Sequence, residues 1–551
     1  MYAALVLGAL VVLATGLFVP HLVTQDSSRD AVMAMRMHFE NDWVNLVKDG
    51  HEYLDKPHLL FWSAMAGYRL FGVHEWSYRL FSVLVSVLGA WATFGLGRRL
   101  HNEMVGKMAA VMFITSYAIV LADHDVRMDA LLTGFVAFGL WQLVRYLDTD
   151  DWRSLVLGAA GIGLAFSSKG LIAVAVSGAA LLFHVWARDL WRRLWTWKTA
   201  LGVAVFFATI SPVLYSYYLQ FDLHPEKVVE GRTGVSGVKF ILLGQSIDRI
   251  GGGKGDRHPD FFFLYHSLIV AFLPWSLLTF IAWFDRLRDL VRGRWRAFRS
   301  QEQLTFLGVF VAIAILSLSR YKLAHYLNVF MPLLAIFTAA YVEEVHRAGR
   351  LRWLAVLTRT QNVVIAVLLV LALGVLNGWA FPPRNAWVVA GAAAFATLLV
   401  VAFRLRGRLE RVWVPSAVAI SLVNFVQNAN YQPWVGEYQF GADEAVRLLE
   451  HDVDWDNIYF IDDFYYPIQF YTRHVIPRVD VAQLREEAAA HENVHVLVAD
   501  RGVGQLQEAG LGYELREQFA DCGVLKMTPR VLNPRTRHQT CRPIYLLRIR
   551  G

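Results

Sequence analysis

Residues 1–30 read MYAALVLGALVVLATGLFVPHLVTQDSSRD: an apolar run, then a cluster of carboxylates, hydroxyls and one arginine. A helix needs roughly 20 consecutive apolar residues to cross a hydrocarbon core, and residues 3–23 have that length. The run ends in Gln25-Asp26-Ser27-Ser28-Arg29-Asp30, which sets ionisable groups at the membrane boundary. Charge is costly there, so such groups are functional candidates by default. The segment has no basic n-region and no small-residue cleavage site, and it reads as a retained span rather than a cleaved signal peptide.

The same pattern recurs along the chain. Of 551 residues 56% are hydrophobic and only 18% charged, and the mean hydropathy is +0.37. Such a balance implies burial in lipid rather than several soluble domains. The length criterion predicts about thirteen spans. They cover residues 3–23, 79–97, 105–122, 129–147, 153–168, 170–187, 199–219, 261–283, 303–319, 323–342, 361–377, 386–403 and 412–429. Cytoplasmic loops carry the excess of Lys and Arg. With this count the clusters at Arg98/Arg99/Lys107, Arg188/Arg192/Arg193/Lys198, Arg286–Arg299, Arg347/Arg350/Arg352 and Arg404/Arg406/Arg408/Arg411 all fall on one side. The net charge of +7 sits largely in these loops, so the membrane is the partner it implies, and nucleic acid is not.

The sequence therefore predicts an all-α polytopic protein of a bacterial inner membrane, with residues 1–429 as the transmembrane domain. Its outer loops are 24–78, 122–129 and 220–260, and residues 430–551 form a soluble domain on the outer, periplasmic side. Leu59 to Phe71 is amphipathic and is expected to lie in the interface plane, with Trp62 and Tyr68 at headgroup depth. The tail has short β-branched and aromatic runs at 457–461, 494–499 and 544–549, between helix-like stretches such as 482–491, and is expected to be a small α/β domain. Both cysteines, Cys522 and Cys541, lie in this tail, where a disulfide could persist, and their spacing leaves pairing open.

The predicted outer side collects Asp26, Arg29, Asp55, Lys56, Asp129, Lys169, Arg249, His258, Lys322 and Tyr326. Carboxylates serve as general bases or hold a metal, and fixed cations stabilise phosphate, so the set describes a site for phosphate-linked substrates. A blander reading has the cations neutralise lipid headgroups, Asp26 cap a loop helix and Asp129 pair locally with Arg127. A transporter or flippase of polyprenyl-linked sugars would also need many spans and outer cations. Such proteins show internal repeats and broken helices at the midplane, whereas no repeat is visible in this sequence.

Short motifs occur here in a recognisable order. Asp26-Ser27-Ser28-Arg29 is followed by Asp42-Trp43, by Tyr53-Leu54-Asp55-Lys56-Pro57 and by Phe61-Trp62. Val126-Arg127-Met128-Asp129, Ser168-Lys169-Gly170, Leu273-Pro274-Trp275 and Ser319–Tyr326 come later. Over residues 1–345 this series resembles the GT-C glycosyltransferases of the protein mannosyltransferase and aminoarabinose (lipid A) transferase group. The resemblance implies inverting transfer of a sugar from a polyprenyl-phosphate donor to a lipid A, lipopolysaccharide or protein acceptor on the periplasmic face. By carry-over, Asp26 is the general base and Asp129 orients the acceptor or assists it. Lys56, Lys169, Arg249, Lys322, Arg29 and Tyr326 are the donor-phosphate candidates. Asp55 stands where the family has a Glu associated with a divalent metal ion, with His258 or His224 as a partner. Ser27, Asp30 and His58 depart from the family's usual Glu, Tyr and second Pro, in what the resemblance makes the acceptor region.

Overall fold

The computed structural model describes residues 1–245, 260–292, 302–451, 453–461 and 465–550. Every one of the thirteen predicted apolar stretches is helical over most of its length. Among the described residues, seven helices are long and apolar enough to cross a membrane, or eight if one bent pair is a single span. Five of the six remaining stretches are short or broken elements, and the sixth, 153–168, lies in the unbroken 18-residue helix Trp152–Lys169. Helices α1 (Tyr2–Phe18), α9 (Ile172–Arg188) and Leu307–Ser317 are apolar but fall below spanning length. The stretch at 105–122 is split at Ser116 into α5 (Glu103–Thr115) and α6 (Tyr117–His124), bent by 50°. The stretch at 261–283 breaks between Phe263–Ala271 and Ser276–Val291, around Pro274, which cannot donate to a helix ladder.

Packing inside the bundle relies on small residues, as expected where lipid gives no hydrophobic drive between helices. Helix α7 (Met128–Thr149) lies between α4 (Glu75–Leu100) and α8 (Trp152–Lys169). A Cβ on Gly134 would stand 2.2 Å from the Val85 carbonyl oxygen, and one on Gly139 2.6 Å from Ile162. This closeness, with a connection of two residues, runs α7 and α8 antiparallel. It brings the first turn of α7 beside the last turn of α8, and therefore Asp129 beside Lys169. The Glu410–Glu437 helix is wholly enclosed, whereas Leu351–Ala380 shows its apolar side chains outward, Val363 at 63% and Val370 at 62% exposed. At the end away from Asp129, Arg99 pairs with Asp148 at 3.0 Å, Lys198 with Asp150 at 2.6 Å and Arg193 with Asp150 at 3.2 Å.

The first loop is more ordered than its sequence suggests. Thr24 caps α2 (Gln25–Glu40), its hydroxyl accepting from the Ser27 amide, which satisfies a donor at the helix start. Helix α3 (Leu59–Phe71) forms where an amphipathic stretch is expected, but Tyr68 corrects its predicted place: it is 1% exposed, and its hydroxyl donates to the Ala31 carbonyl. The apolar face of α3 is covered by α2, because the two are joined closely enough to shield one another.

In the tail, β3 (Ile458–Phe460), β4 (His495–Ala499), β5 (Tyr513–Cys522) and β6 (Cys541–Ile549) form one sheet in the order β3-β4-β6-β5. The β3–β4 pair is parallel and the others antiparallel. Alternation along the strands feeds two cores. Phe460, Leu497, Ile544 and Leu546 point to one face, and Ile461, Val496, Val498, Leu547 and Ile549 to the other. Strand β5, YELREQFADC, is a largely polar edge, which explains why no apolar run announces it. Cys522 and Cys541 are joined by a disulfide where β5 meets β6.

Candidate active site

At the Asp129 end of the bundle α2, the loop after it, the start of α7 and the end of α8 enclose a cavity of about 300 Å³. Asp26, Arg29, Asp55, Lys56, Asp129, Lys169 and Tyr326 all line it, so seven of the residues singled out from sequence converge. Lys322 does not line it. Its ammonium is buried and donates to the Ser317 carbonyl at 2.6 Å, which takes it away from the cradle expected of it. Arg249 and His258 lie outside the described residues.

Asp26 is in the first turn of α2, and its side chain is 48% exposed toward the cavity. Arg29 Nη1 donates to one of its oxygens at 2.9 Å, and Arg127 Nη1 stands 2.8 Å from the other. Burial works to raise this carboxyl, but Arg127, Arg29 and Lys56 outweigh it and hold Asp26 below the usual carboxylate range. Asp26 is therefore a fixed anion at neutral pH. Arg127 is held in turn by Asp125 at 3.1 Å, and Asp125 accepts from the Thr24 hydroxyl that caps α2. Arg29 also donates from Nε and Nη2 to buried Asp30, at 2.9 and 2.7 Å.

Asp129 has a different environment. It is 3% exposed and accepts from Lys169 Nζ at 2.6 Å, with His325 Nε2 4.0 Å from its other oxygen. Its partner is thus Lys169 from the next helix, not the neighbouring Arg127. Lys169 also lies 4.8 Å from the centre of the Tyr326 ring. Lys56 Nζ stands 3.5 Å from Asp55, and the Gln245 side chain donates to the Asp55 backbone carbonyl.

Among the described residues no three His, Cys, Asp or Glu side chains converge as a metal group. His224 pairs with Glu226 at 2.9 Å and does not line the cavity. His58 is fully buried, with Nε2 2.8 Å from the Val44 carbonyl, so it supports the loop and does not face the cavity. The sequence offered Arg127 only as a local partner of Asp129 and Asp30 only as a departure in the acceptor region, and it gave Gln245 and His325 no role. Arg127 and His325 lie inside quoted motifs, and that adjacency was the available signal. Gln245 carried none.

The tail reaches this site. Its Tyr466–Thr472 helix packs Phe470 into the core under α2 and α3. Tyr466 donates to both oxygens of Asp49, at 2.6 and 2.9 Å, and the Tyr471 hydroxyl accepts from the Leu22 amide. A second, mostly apolar cavity of about 410 Å³ meets the first at Arg127, Asp129 and His325, and runs along Val270, Ala271 and Leu121.

Residues 55–216 match the family described as dolichyl-phosphate-mannose-protein mannosyltransferase. Over 344 residues the chain is 27% identical to the undecaprenyl phosphate-alpha-4-amino-4-deoxy-L-arabinose arabinosyl transferase of Pseudomonas paraeruginosa, covering 61% of this chain and 58% of that relative. The structure superposes on ArnT from Cupriavidus metallidurans bound to undecaprenyl phosphate with a TM-score of 0.73, 21% identity, and coverage of 99% of this chain and 97% of that one. The apo oligosaccharyltransferase of Archaeoglobus fulgidus follows at a TM-score of 0.52 and 12% identity, over 90% and 69% of the two chains. Residues 55–216 thus resemble the mannosyltransferase family, the chain spans less than two thirds of the length of the curated relative it matches, and its fold is that of the ArnT structure.

Proposed function

We propose that the chain transfers a sugar, with inversion, from a polyprenyl-phosphate donor to a hydroxyl or phosphate oxygen of a lipid A-type or protein acceptor on the periplasmic face. The observation that carries this reading is the pairing in one cavity of a half-exposed, ionised Asp26 with the cations Arg127, Arg29 and Lys56. The names of the relatives support a polyprenyl-linked donor. The apolar second cavity is suited to a polyprenyl chain whose phosphate ends among the cations.

In this mechanism the acceptor oxygen attacks the anomeric carbon while Asp26 orients it and takes its proton. The bond from that carbon to the lipid-phosphate oxygen breaks, and its electron pair leaves with the phosphate. Lys56 and Arg29 stabilise the charge that develops there, as fixed donors in a partly water-excluded site do without reorganising. Asp129 and Lys169 form the floor and hold α7 against α8. Of the suggested metal position, Asp55 lines the cavity and His224 does not, and the steps above use only this chain's own side chains. The basic loops at the far end of the bundle support a cytoplasmic placement for that end.

The test is transfer of radiolabelled sugar from polyprenyl phosphate by the purified chain. The parent is expected to consume donor and label the acceptor, with Asp26→Asn and Lys56→Ala strongly impaired. Parent-like turnover in both variants would remove the assigned site, and donor moved across membranes without being consumed would favour a flippase.

A further inference from the structure

A third cavity, of about 150 Å³, shares Tyr117, Leu121 and Asp125 with the apolar groove and reaches toward Asp26 along His21, Leu22 and Val23. Its inner wall is Thr24, Ser27, His124 and Asp125, so it stops one residue short of Asp26. Its outer wall includes Leu525 and Met527, from the segment between the two bonded cysteines. That segment is anchored at the outer ends of two long apolar helices. Val524 and Val531 pack with Phe381 and Tyr431, and buried Arg537 donates to the Ala380 carbonyl at 2.5 Å and lies 3.8 Å from the centre of the Phe381 ring. Helix ends fix its depth, which is that of lipid headgroups.

At this depth the loop turns an unusual surface outward. Leu525 and Met527 are 46% and 49% exposed, and Lys526, Arg530 and Arg535 are exposed beside them. No acidic side chain pairs with these three cations among the described residues, whereas nearby Arg384 is paired with Glu437. Apolar side chains interleaved with unpaired cations at headgroup depth complement an amphiphile with acyl chains and phosphates. A transfer between two lipids needs two approaches to one reacting centre. The groove along Val270 and Ala271 supplies one, and the cavity under this loop supplies the other.

We propose that the disulfide-closed loop 522–541 is the docking surface for a phosphorylated glycolipid acceptor, and that the cavity beneath it admits the accepting group toward Asp26. The inference rests on the transferase reading given above. The experiment uses the full chain in detergent, radiolabelled sugar on undecaprenyl phosphate, and lipid A in mixed micelles. Lys526→Glu with Arg530→Glu should raise KM for lipid A about tenfold with kcat within about twofold of the parent, since these charges act on encounter and not on chemistry. Leu525→Asp with Met527→Asp should act in the same direction. Undecaprenyl phosphate binding, followed by tryptophan fluorescence, should stay within about twofold in both, and Lys526→Arg should behave as the parent. An unmoved KM in both double variants, or a parallel loss of undecaprenyl phosphate binding, would overturn the proposal while leaving the transferase reading intact. Inhibition of the parent by phosphatidylglycerol at equal concentration would make the loop a general anionic-lipid surface and would also overturn it. A parent that labels no acceptor would sink the transferase reading itself, and this inference with it.

Discussion

Asp26 and Asp129 line one cavity, and their surroundings are built differently. Asp26 belongs to a loop helix, stands half exposed, and is held by Arg29 and Arg127, which leave its surface open to a substrate. Asp129 belongs to the bundle, is almost fully buried, and is matched to a single lysine on the next helix. A carboxylate that is charged and reachable can take part in chemistry. One that is charged, buried and paired holds its surroundings in place, because separating the pair would strand a charge in apolar protein. The resemblance made Asp26 the base and Asp129 its assistant, and the structure gives the two different surroundings.

The widest gap between them should be seen in activity without stability. Asp26→Asn should lower kcat about 10²- to 10⁴-fold, the range for losing a positioned general base, with thermal unfolding unchanged. A variant within a few-fold of the parent would break the comparison at its active end. Asp129→Ala should do the reverse. It takes from buried Lys169 its 2.6 Å carboxylate partner, a cost of about 3–5 kcal/mol, visible as a lowered Tm in detergent and loss of monodisperse protein. Asp129→Ala combined with Lys169→Met should recover part of that loss, and a single variant as stable as the parent would show that the pair is not structural.

Lys56→Ala is expected to cost roughly 10²-fold in kcat, as removal of one stabilising donor does, with little change in Tm. The smallest effect concerns pH. The folded Asp26 carboxyl is held below its ordinary value, so the acid limb of kcat/KM should lie below the usual carboxylate range, with activity kept above it. Arg127→Gln removes a leading cause of that depression and should move the limb upward. A limb that stays in place would mean that Arg127 does not set the Asp26 charge.

Much of this was legible in the chain. The apolar stretches mark the helices because length and hydropathy are local properties, and the cavity-lining residues were found because they sit at helix ends with motifs around them. The span count of thirteen and the seven or eight long apolar helices among the described residues differ mainly where geometry enters. A bend at Ser116 and a break around Pro274 do not interrupt hydropathy, so one apolar run reads as one span. Helix α2 entered only through the blander reading of Asp26 as a helix cap, because a polar, methionine-rich segment has no strong apolar run to announce it. Tyr68 was assigned to the interface because amphipathicity says that a face will be covered, but not by what.

The sequence by itself determined that this chain lives in a membrane, which of its segments are apolar helices, and which ionisable residues crowd their ends. Only the tertiary structure decided that Asp129 pairs with Lys169 and not Arg127, that Lys322 turns away, and that Cys522 bonds Cys541. It also set the tail's Tyr466 and the loop at 522–541 against the first outer loop. Local patterns of polarity follow from neighbours in the chain. Pairings between helices depend on which small residues let two backbones approach, and that is settled in three dimensions.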